Sequence, residues 1–314
     1  MSESRRLPVP EALVGERIDV ALSRMLGLSR SAVAELCAQG AVHVDGHVAA
    51  KSDRLLAEHW IDVAIPTPVA PGDPEPVEGM LIRHDDDDLV IIDKPVGVAA
   101  HPSPGWTGPT VIGGLAAAGY RISTSGAAER QGIVHRLDVG TTGLMVVAKS
   151  ERAYTDLKRQ FKERTPTKIY RAIAQGLLDP LIGTIDAPID RHPTADYRMA
   201  VVSGGKPSVT HYETLEAFPY ASLLEVDLET GRTHQIRAHM SAMRHPLVGD
   251  SMYGSDPTLA DRLGLSRPAL HAARLEIDHP GTGERLIMKS PDPPDFAHAL
   301  RRLAETHTSH MGSA

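Results

Sequence analysis

The residues with the clearest chemical potential are an arginine and an aspartate, Arg136 and Asp138, which lie two positions apart in front of an apolar run at 144–148. The run is typical of a buried strand, and Gly140 and Gly143 permit a tight turn before it. A carboxylate at the mouth of a buried strand can act as a nucleophile or as a base. A lone Arg-x-Asp motif often matches by chance, so other segments must support an active site here.

The length and composition indicate a two-domain protein without a membrane span. The chain has 314 residues, of which 41% are hydrophobic, and a domain takes about 100–200 residues. No apolar run approaches the roughly 18 residues that a membrane helix requires, and the N-terminus has no apolar signal core. The single cysteine, Cys37, cannot form an internal disulfide and is expected in the core. We expect a cytoplasmic protein.

The charge is acidic overall but basic in one segment. The net charge of −7 argues against a protein that coats nucleic acid without selectivity, because phosphate contacts need Lys and Arg. Residues 149–171 nevertheless hold eight Lys/Arg against three Asp/Glu. Such a run is commonly a solvated helix face, but its position after Asp138 favours a phosphate-binding surface. Its core comprises Lys158, Arg159, Lys162, Arg164 and Lys168.

The periodicity predicts two structural units joined by a linker. Residues 1–66 hold two amphipathic helices, a hairpin turning at Asp45-Gly46 and a last alternating strand, the pattern of a small α/β domain. A proline-rich linker follows at 67–79, since five of the residues from 66 to 76 are proline. Residues 80–305 form the larger domain, and 306–314 are predicted to be a disordered tail.

The larger domain is predicted to be α+β with a mixed, mostly antiparallel sheet, because strands outnumber helices and several are joined by short loops. Ser150 is a predicted N-cap of a helix. Residues 167–174 alternate as a strand that places Tyr170 on the same side as two alanines. A further helix near 234–243 is predicted to be capped by Thr233. Four acids at 85–88 are interpreted as a solvated turn.

Several kinds of active site are excluded by their missing motifs. The chain has neither a dinucleotide-binding G-x-G-x-x-G nor a Walker loop, and it has no nucleophile elbow. It has no H-E-x-x-H, and His234 and His239, five residues apart on one predicted helix, fit zinc poorly. These histidines are expected to be satisfied polar or RNA-facing groups, and we predict no metal site. Two-carboxylate glycosidase chemistry stays open, since Asp138 could pair with a distant acid.

Six separated segments together resemble the RluA family of pseudouridine synthases. They lie at 92–102, 132–150, 167–176, 210–216, 231–254 and 270–280. The most diagnostic are His135-Arg136-Leu137-Asp138 and Gly231-Arg232-Thr233-His234-Gln235-Ile236-Arg237. Residues 16–65 resemble the S4 RNA-binding module that precedes the catalytic domain in some members. The resemblance implies the pseudouridine synthase fold behind an S4-like domain.

The resemblance also implies a reaction without a cofactor. A uridine in RNA loses its bond from C1′ to N1, the uracil turns, and C5 bonds to C1′. Asp138 is the implied catalytic carboxylate, either as a nucleophile at the sugar or at the uracil or as the base that removes a sugar proton, and these roles stay open. Arg237 is the implied ion-pair partner, since a neighbouring cation favours an ionised carboxylate. Tyr170 would stack on the uracil, and Arg136 would fill the gap left by the flipped nucleotide.

The implied substrate is RNA, and most directly the 23S RNA of the large ribosomal subunit. Contacts to it are predicted from the basic segment, from Arg232, and from Arg17, Arg24 and Arg30 of the S4-like module. A tRNA-directed synthase, a non-catalytic ribosomal RNA-binding or assembly protein, and a nucleoside hydrolase are the alternatives. The retained Asp138, Tyr170 and Arg237 argue against the assembly protein. We expect a monomer that requires no protein partner and no membrane.

Overall fold

The structure is a computed structural model that describes residues 2–26, 30–66, 75–103, 106–126 and 130–311. Within these ranges some side chains lie outside the description, among them that of Arg30. The chain divides into two compact units, residues 1–72 and 73–314, so the division falls within the predicted linker. Each unit is described by itself.

The first unit is a small α/β domain. Its strands are β1 (Ser2–Pro8), β2 (Val42–Val44), β3 (His47–Val48) and β4 (Trp60–Pro66), and its helices are α1 (Ile18–Leu26) and α2 (Arg30–Ala38). The antiparallel sheet has the order β1-β4-β2-β3. Apolar side chains from both helices, including Ile18, Leu22 and Val33, are buried with Val42 and Ile61 of the sheet. The two predicted helices and the hairpin are confirmed.

The second unit is built on a nine-stranded sheet. Its strands are β5 (Leu81–Asp85), β6 (Leu89–Lys94), β7 (Thr142–Ala148), β8 (Thr167–Gln175), β9 (Ile182–Asp186), β12 (Val209–Phe218), β13 (Ala221–Leu228), β14 (Leu270–Asp278) and β15 (Arg285–Lys289). A separate hairpin consists of β10 (Ile189–His192) and β11 (Ala195–Val201). The helices are α3 (Val111–Ala117), α4 (Glu151–Glu163), α5 (Gln235–Ala242), α6 (Pro257–Leu263) and α7 (Pro294–Met311).

The large sheet is mixed and mostly antiparallel, as predicted. Its order is β5-β6-β7-β14-β8-β13-β12-β9, with β15 paired to β14. Among the described strands, β7 and β14 form the one parallel pair. At this pair Gly143 has a φ of +111°, and a Cβ on it would lie 2.3 Å from the carbonyl oxygen of Ala272. A glycine is therefore required where the strand after Asp138 meets β14.

Helices cover both faces of the sheet, which explains why residues 89–92 of β6 and 144–148 of β7 are apolar without alternation. One face packs against α3 and α5, through side chains such as Leu115 and Met240. The opposite face packs against α4 at one end and against α6 and α7 at the other, through side chains such as Leu157, Leu263 and Phe296. Ser150 caps α4 by accepting a hydrogen bond from the Ala153 N–H, as predicted.

Several details differ from the sequence-based expectations. Helix α7 continues to Met311 and so includes 306–311 of the predicted disordered tail; the first helix-breaking residue after Leu303 in the sequence is Gly312. The end of the predicted linker belongs to the second unit, because Val77 packs on its core. The acidic turn is not simply solvated, since Asp88 is buried and bonded to Ser150 and Arg152.

Strand β1 was not predicted, because its sequence is polar and lacks alternation. No helix in the described ranges is both long and apolar enough to cross a membrane.

Candidate active site

The loop that carries Asp138 is held by its backbone from three directions. The Thr141 N–H donates to the Asp138 carbonyl at 3.0 Å, and the Gly97 N–H donates to the Val139 carbonyl at 2.9 Å. The guanidinium of Arg267 donates to the Gly140 carbonyl at 3.2 Å. The Asp138 side chain is 15% exposed. The carboxylate is therefore fixed by its loop while it keeps an opening to solvent.

His135 anchors the start of the same loop. Its Nε2 accepts a hydrogen bond from the Val146 N–H of β7 at 3.0 Å, and its ring stacks on Phe161 of α4 with a centroid distance of 4.6 Å. Burial, with a smaller contribution from the charge of Lys168, lowers the pKa of His135 to about 3. The ring is therefore neutral at physiological pH, so Nε2 can accept the hydrogen bond from the Val146 N–H of β7.

Arg237 on α5 forms a buried, bidentate ion pair with Asp250. Its Nε donates to one carboxylate oxygen at 2.6 Å and its Nη2 to the other at 2.9 Å. The guanidinium also lies over the ring of Tyr253, 4.9 Å from the centroid. Burial opposes the charge, but the bonds to Asp250 together with the charges of Asp250 and Asp138 outweigh burial and raise the pKa of Arg237. Two of its donor groups are thus committed to Asp250.

The third donor of Arg237 faces Asp138. Nη1 lies 3.4 Å from the Asp138 carboxylate, so the ion pair implied by the resemblance is present, although it is longer than either bond to Asp250. Nε2 of His234 lies 3.9 Å from the same oxygen. Asp250 thus orients the arginine, and the arginine presents one N–H to Asp138.

The start of α5 differs from the prediction. Thr233 is not the N-cap; His234 occupies that position with a φ of 53° and no capping bond from its side chain. The Gln235 side chain instead accepts from the Arg232 N–H at 2.9 Å and from the Thr230 hydroxyl at 2.8 Å. His239 bonds to Thr210 and to the Ala187 carbonyl, so it is a satisfied buried histidine, as expected.

Tyr170 on β8 is buried at the same site. It belongs to the core on the α5 side of the sheet, together with Ala172 and Ala174, which confirms the predicted facing of the strand. Burial, and secondly the charge of Asp138, raise the pKa of Tyr170 above its usual value. The phenol is therefore neutral and able to donate a hydrogen bond.

Lys94, at the end of β6, is completely buried behind Asp138. Its Nζ donates to the carbonyls of Pro95 and Val98 at 3.0 and 2.8 Å. Burial lowers the pKa of Lys94 to about 7, and Arg267 adds to this effect while the charge of Asp138 opposes it. The lysine thus holds the loop after β6 by hydrogen bonds, and its pKa depends on the charges of Asp138 and Arg267 in the site.

The residues predicted to contact RNA in the second unit differ in their exposure and in whether they already have a hydrogen-bond or ion-pair partner. Arg136 is exposed, and no hydrogen bond or ion pair among the described residues engages it. Arg232 is exposed and donates to the Pro207 carbonyl. In the basic segment, Lys158 and Lys162 are exposed on α4, whereas the other three have partners or are partly buried. Arg159 pairs with Asp156 and Glu163, Arg164 pairs with Glu229, and burial lowers the pKa of Lys168 to about 8.

In the first unit, Arg17 pairs with Asp19 at 3.0 Å and Arg24 lies 3.6 Å from Glu16. Arg24 is exposed, whereas Arg17 is half-buried. Their contact with RNA remains a prediction, and the side chain of Arg30 lies outside the described residues.

One group of side chains has the composition of a metal site. His84, Asp86 and His279 bring one ligand atom each within 4.8 Å of one another. However, Nδ1 of His279 accepts from the backbone N–H groups of Gly281 and Thr282. Its proton is therefore on Nε2, which donates to Asp86 at 2.9 Å, and no lone pair on this ring is left for a metal. The geometry favours a hydrogen-bonded cluster that joins β5 to the loop after β14.

Four residues of the site escaped the sequence analysis as functional groups: Lys94, Asp250, Tyr253 and Arg267. Lys94 carried a partial signal, since it follows the apolar residues 89–92 in the same strand and lies in the segment 92–102 that carries the resemblance. Asp250 and Tyr253 lie within the segment 231–254 that carries the resemblance, but nothing local shows that they meet Arg237. Arg267 had no signal, because its targets are carbonyls contributed by the tertiary fold.

Comparison with known proteins identifies the class. The sequence model of the RNA pseudouridylate synthase family matches residues 88–242, and that of the S4 domain matches residues 16–61. An uncharacterized RNA pseudouridine synthase of Mycobacterium bovis is 58% identical over 95% of this chain and 98% of its own length. Ribosomal large subunit pseudouridine synthase D of Nitrosomonas europaea is 43% identical over 96% and 90%, respectively.

A solved structure agrees with these matches. Human RNA pseudouridylate synthase domain containing 1 superposes with a TM-score of 0.57 at 29% identity, covering 75% of this chain and 97% of that one. The chain therefore belongs to the RNA pseudouridine synthase family and carries an S4 domain. The predicted family and fold class are confirmed, and the chain is an RNA pseudouridine synthase.

The Arg237–Asp250 pair gives a prediction for stability. Asp250→Asn leaves the buried guanidinium without its counter-charge, and we expect the free energy of unfolding to fall by about 3–5 kcal/mol. Arg164→Gln, which breaks the exposed pair with Glu229, should change it by no more than about 1 kcal/mol. Urea unfolding of the full chain measures both variants. A loss with Asp250→Asn as small as that of the control would contradict the account.

Lys94 gives a prediction for the pH dependence of stability. Its pKa is about 7 in the folded state against an ordinary value of 10.5, so between these values the unfolded state binds more protons. Stability then rises with pH, whereas Lys94→Met has no such contribution. The difference in unfolding free energy, wild type minus variant, should be constant below about pH 7 and increase above it. Urea unfolding across a pH series tests this, and a constant difference would refute it.

Proposed function

We propose that this enzyme converts uridine to pseudouridine in the RNA of the large ribosomal subunit, with Asp138 as the catalytic carboxylate. The observation that carries the proposal is the placement of Asp138 on a backbone-fixed loop, partly open to solvent, 3.4 Å from a buried arginine. The target class rests on the likeness to relatives named ribosomal large subunit pseudouridine synthase D.

The residues around Asp138 support distinct roles. Tyr170 is a buried, neutral phenol on the core side of the sheet, where it would stack on the extracted uracil and donate a hydrogen bond. Arg237 would orient the Asp138 carboxylate through its Nη1 donor. Arg136, exposed two residues before Asp138, would enter the helix in place of the flipped nucleotide and offset part of the few kcal/mol that extraction costs.

RNA binding would extend from this site over exposed basic groups. Lys158, Lys162 and Arg232 are the exposed cations of the second unit that we assign to phosphate contacts. In the S4 domain we assign the same role to the exposed Arg24 and the half-buried Arg17. We further propose that the enzyme acts in the cytoplasm as a monomer, since one chain supplies every residue of the site. No step of the proposed reaction requires a cofactor.

The proposal predicts that Asp138→Asn abolishes pseudouridine formation without abolishing RNA binding. The measurement is mass-shift mapping after cyanoethylation of unmodified large-subunit RNA and, in parallel, of unmodified tRNA. Asp261→Asn, an exposed acid on α6, is the matched control and should modify the same uridines as the wild type.

Modification of tRNA alone would contradict the proposed substrate. Modification of either RNA by the Asp138→Asn variant at the wild-type rate would contradict the proposed role of the aspartate.

A further inference from the structure

The hydrogen bonds of Tyr253 determine which nitrogen of His234 carries the proton. The Tyr253 hydroxyl oxygen accepts from the Met199 N–H at 2.9 Å, and the hydroxyl donates to the Met199 carbonyl at 3.1 Å. Nδ1 of His234 lies 3.0 Å from the same oxygen. With the one hydroxyl hydrogen assigned to the Met199 carbonyl, Nδ1 is the donor in this contact. Nε2 of His234 is then the nitrogen with a free lone pair.

That lone pair faces the catalytic carboxylate. Nε2 lies 3.9 Å from Asp138 Oδ2, beyond hydrogen-bond distance, as expected when neither atom has a hydrogen to share. The charged groups that act on the ring are Asp138, Asp250, Arg136 and Arg237. Burial dominates and lowers the pKa of His234. A neutral imidazole therefore presents an unprotonated nitrogen beside Asp138.

We propose that His234 is the base that removes the C5 proton of the uracil in the last step of the reaction. The inference rests on the proposed function. Once C5 has bonded to C1′, it carries both its hydrogen and the sugar, and the ring has a double bond between N1 and C6. Nε2 takes the proton, and the electrons of the C5–H bond form the C5=C6 double bond. The former N1=C6 π electrons move to N1, which takes a proton from water, and the imidazolium returns one to water.

The position of His234 suits this step when Asp138 acts at the sugar, whether as a nucleophile or as a base. The ring atom bonded to C1′ is N1 before the uracil turns and C5 afterwards, so C5 arrives next to the carboxylate that acts at the sugar. A base about one van der Waals contact from that carboxylate is within reach of the C5 hydrogen. The imidazolium formed in the step lies beside the Asp138 carboxylate, which stabilises it.

The test is a single-turnover measurement on the large-subunit RNA, transcribed with either hydrogen or deuterium at C5 of its uridines. His234→Asn keeps a short amide donor toward Tyr253 and tolerates the left-handed backbone, but it has no group at the position of Nε2. We expect its rate to fall on the order of 10²-fold or more. We also expect a primary isotope effect at C5 that the wild type lacks, and partial recovery of the rate with added imidazole.

Two further variants make the result specific. His298→Asn, an exposed histidine on α7, should match the wild type in rate and isotope effect. Tyr253→Phe keeps the imidazole but releases Nδ1, so a smaller loss of rate with the same new isotope effect is expected. RNA binding and the melting temperature of each variant are measured alongside.

The outcomes separate this inference from the function on which it rests. If the wild type forms no pseudouridine, the proposed function fails. If the wild type is active and His234→Asn keeps its rate, or loses rate without gaining an isotope effect at C5, His234 is not the base. Should His234→Asn fail to fold, an unchanged isotope effect in Tyr253→Phe overturns the inference in its place.

Discussion

The buried ion pair between Arg237 and Asp250 is the interaction on which the geometry of this site depends. A guanidinium removed from water needs a partner that satisfies both its charge and its donors, and the bidentate bonds to Asp250 do so. This fixes the plane of the arginine, and the donor left over points at Asp138. The Asp138 carboxylate is thus coupled, through Arg237, to Asp250, which lies more than a hundred positions later in the chain.

The second constraint on the site is the backbone of the Asp138 loop, which is held in place by its neighbours. His135, Gly97 and Arg267 bind its ends and its backbone, while Gly143 allows the following strand to lie close against β14. None of these contacts uses the Asp138 side chain. The Asp138 carboxylate therefore keeps its acceptor capacity for Arg237 and, in the proposed reaction, for the substrate.

Local sequence patterns were enough to predict most of the helices and strands, but they did not predict which side chains contact one another. The periodicity predicted the strand that carries Tyr170, the helix capped by Ser150 and the first-unit helices, because each buries an apolar face with a regular spacing. It missed β1, whose polar sequence becomes a strand by pairing with β4. It placed the cap of α5 at Thr233, because nothing local shows that Gln235 reaches back to the loop.

The same distinction applies to the residues of the site. Asp138, Arg237 and Tyr170 came from the family resemblance, and the structure brings Arg237 and Asp138 together. No role could be assigned to Asp250 and Tyr253 from sequence, because the role of an aspartate or a tyrosine in a loop depends on the residues it contacts. The tautomer of His234 is even harder to predict from sequence, because it depends on the hydrogen bonds between Tyr253 and the backbone of Met199. In the basic segment, Arg159 and Arg164 pair with acids that composition alone does not connect to them, and contact of the segment with RNA remains a prediction.

The most direct test of the central claim is the single-turnover rate of Arg237→Lys with saturating RNA. Lysine keeps the positive charge but lacks the planar fork, so it cannot hold Asp250 and face Asp138 at the same time. If orientation by Asp250 matters, the rate should fall on the order of 10²-fold while RNA binding is preserved. A rate equal to that of the wild type would show that charge alone is sufficient, and it would contradict the account.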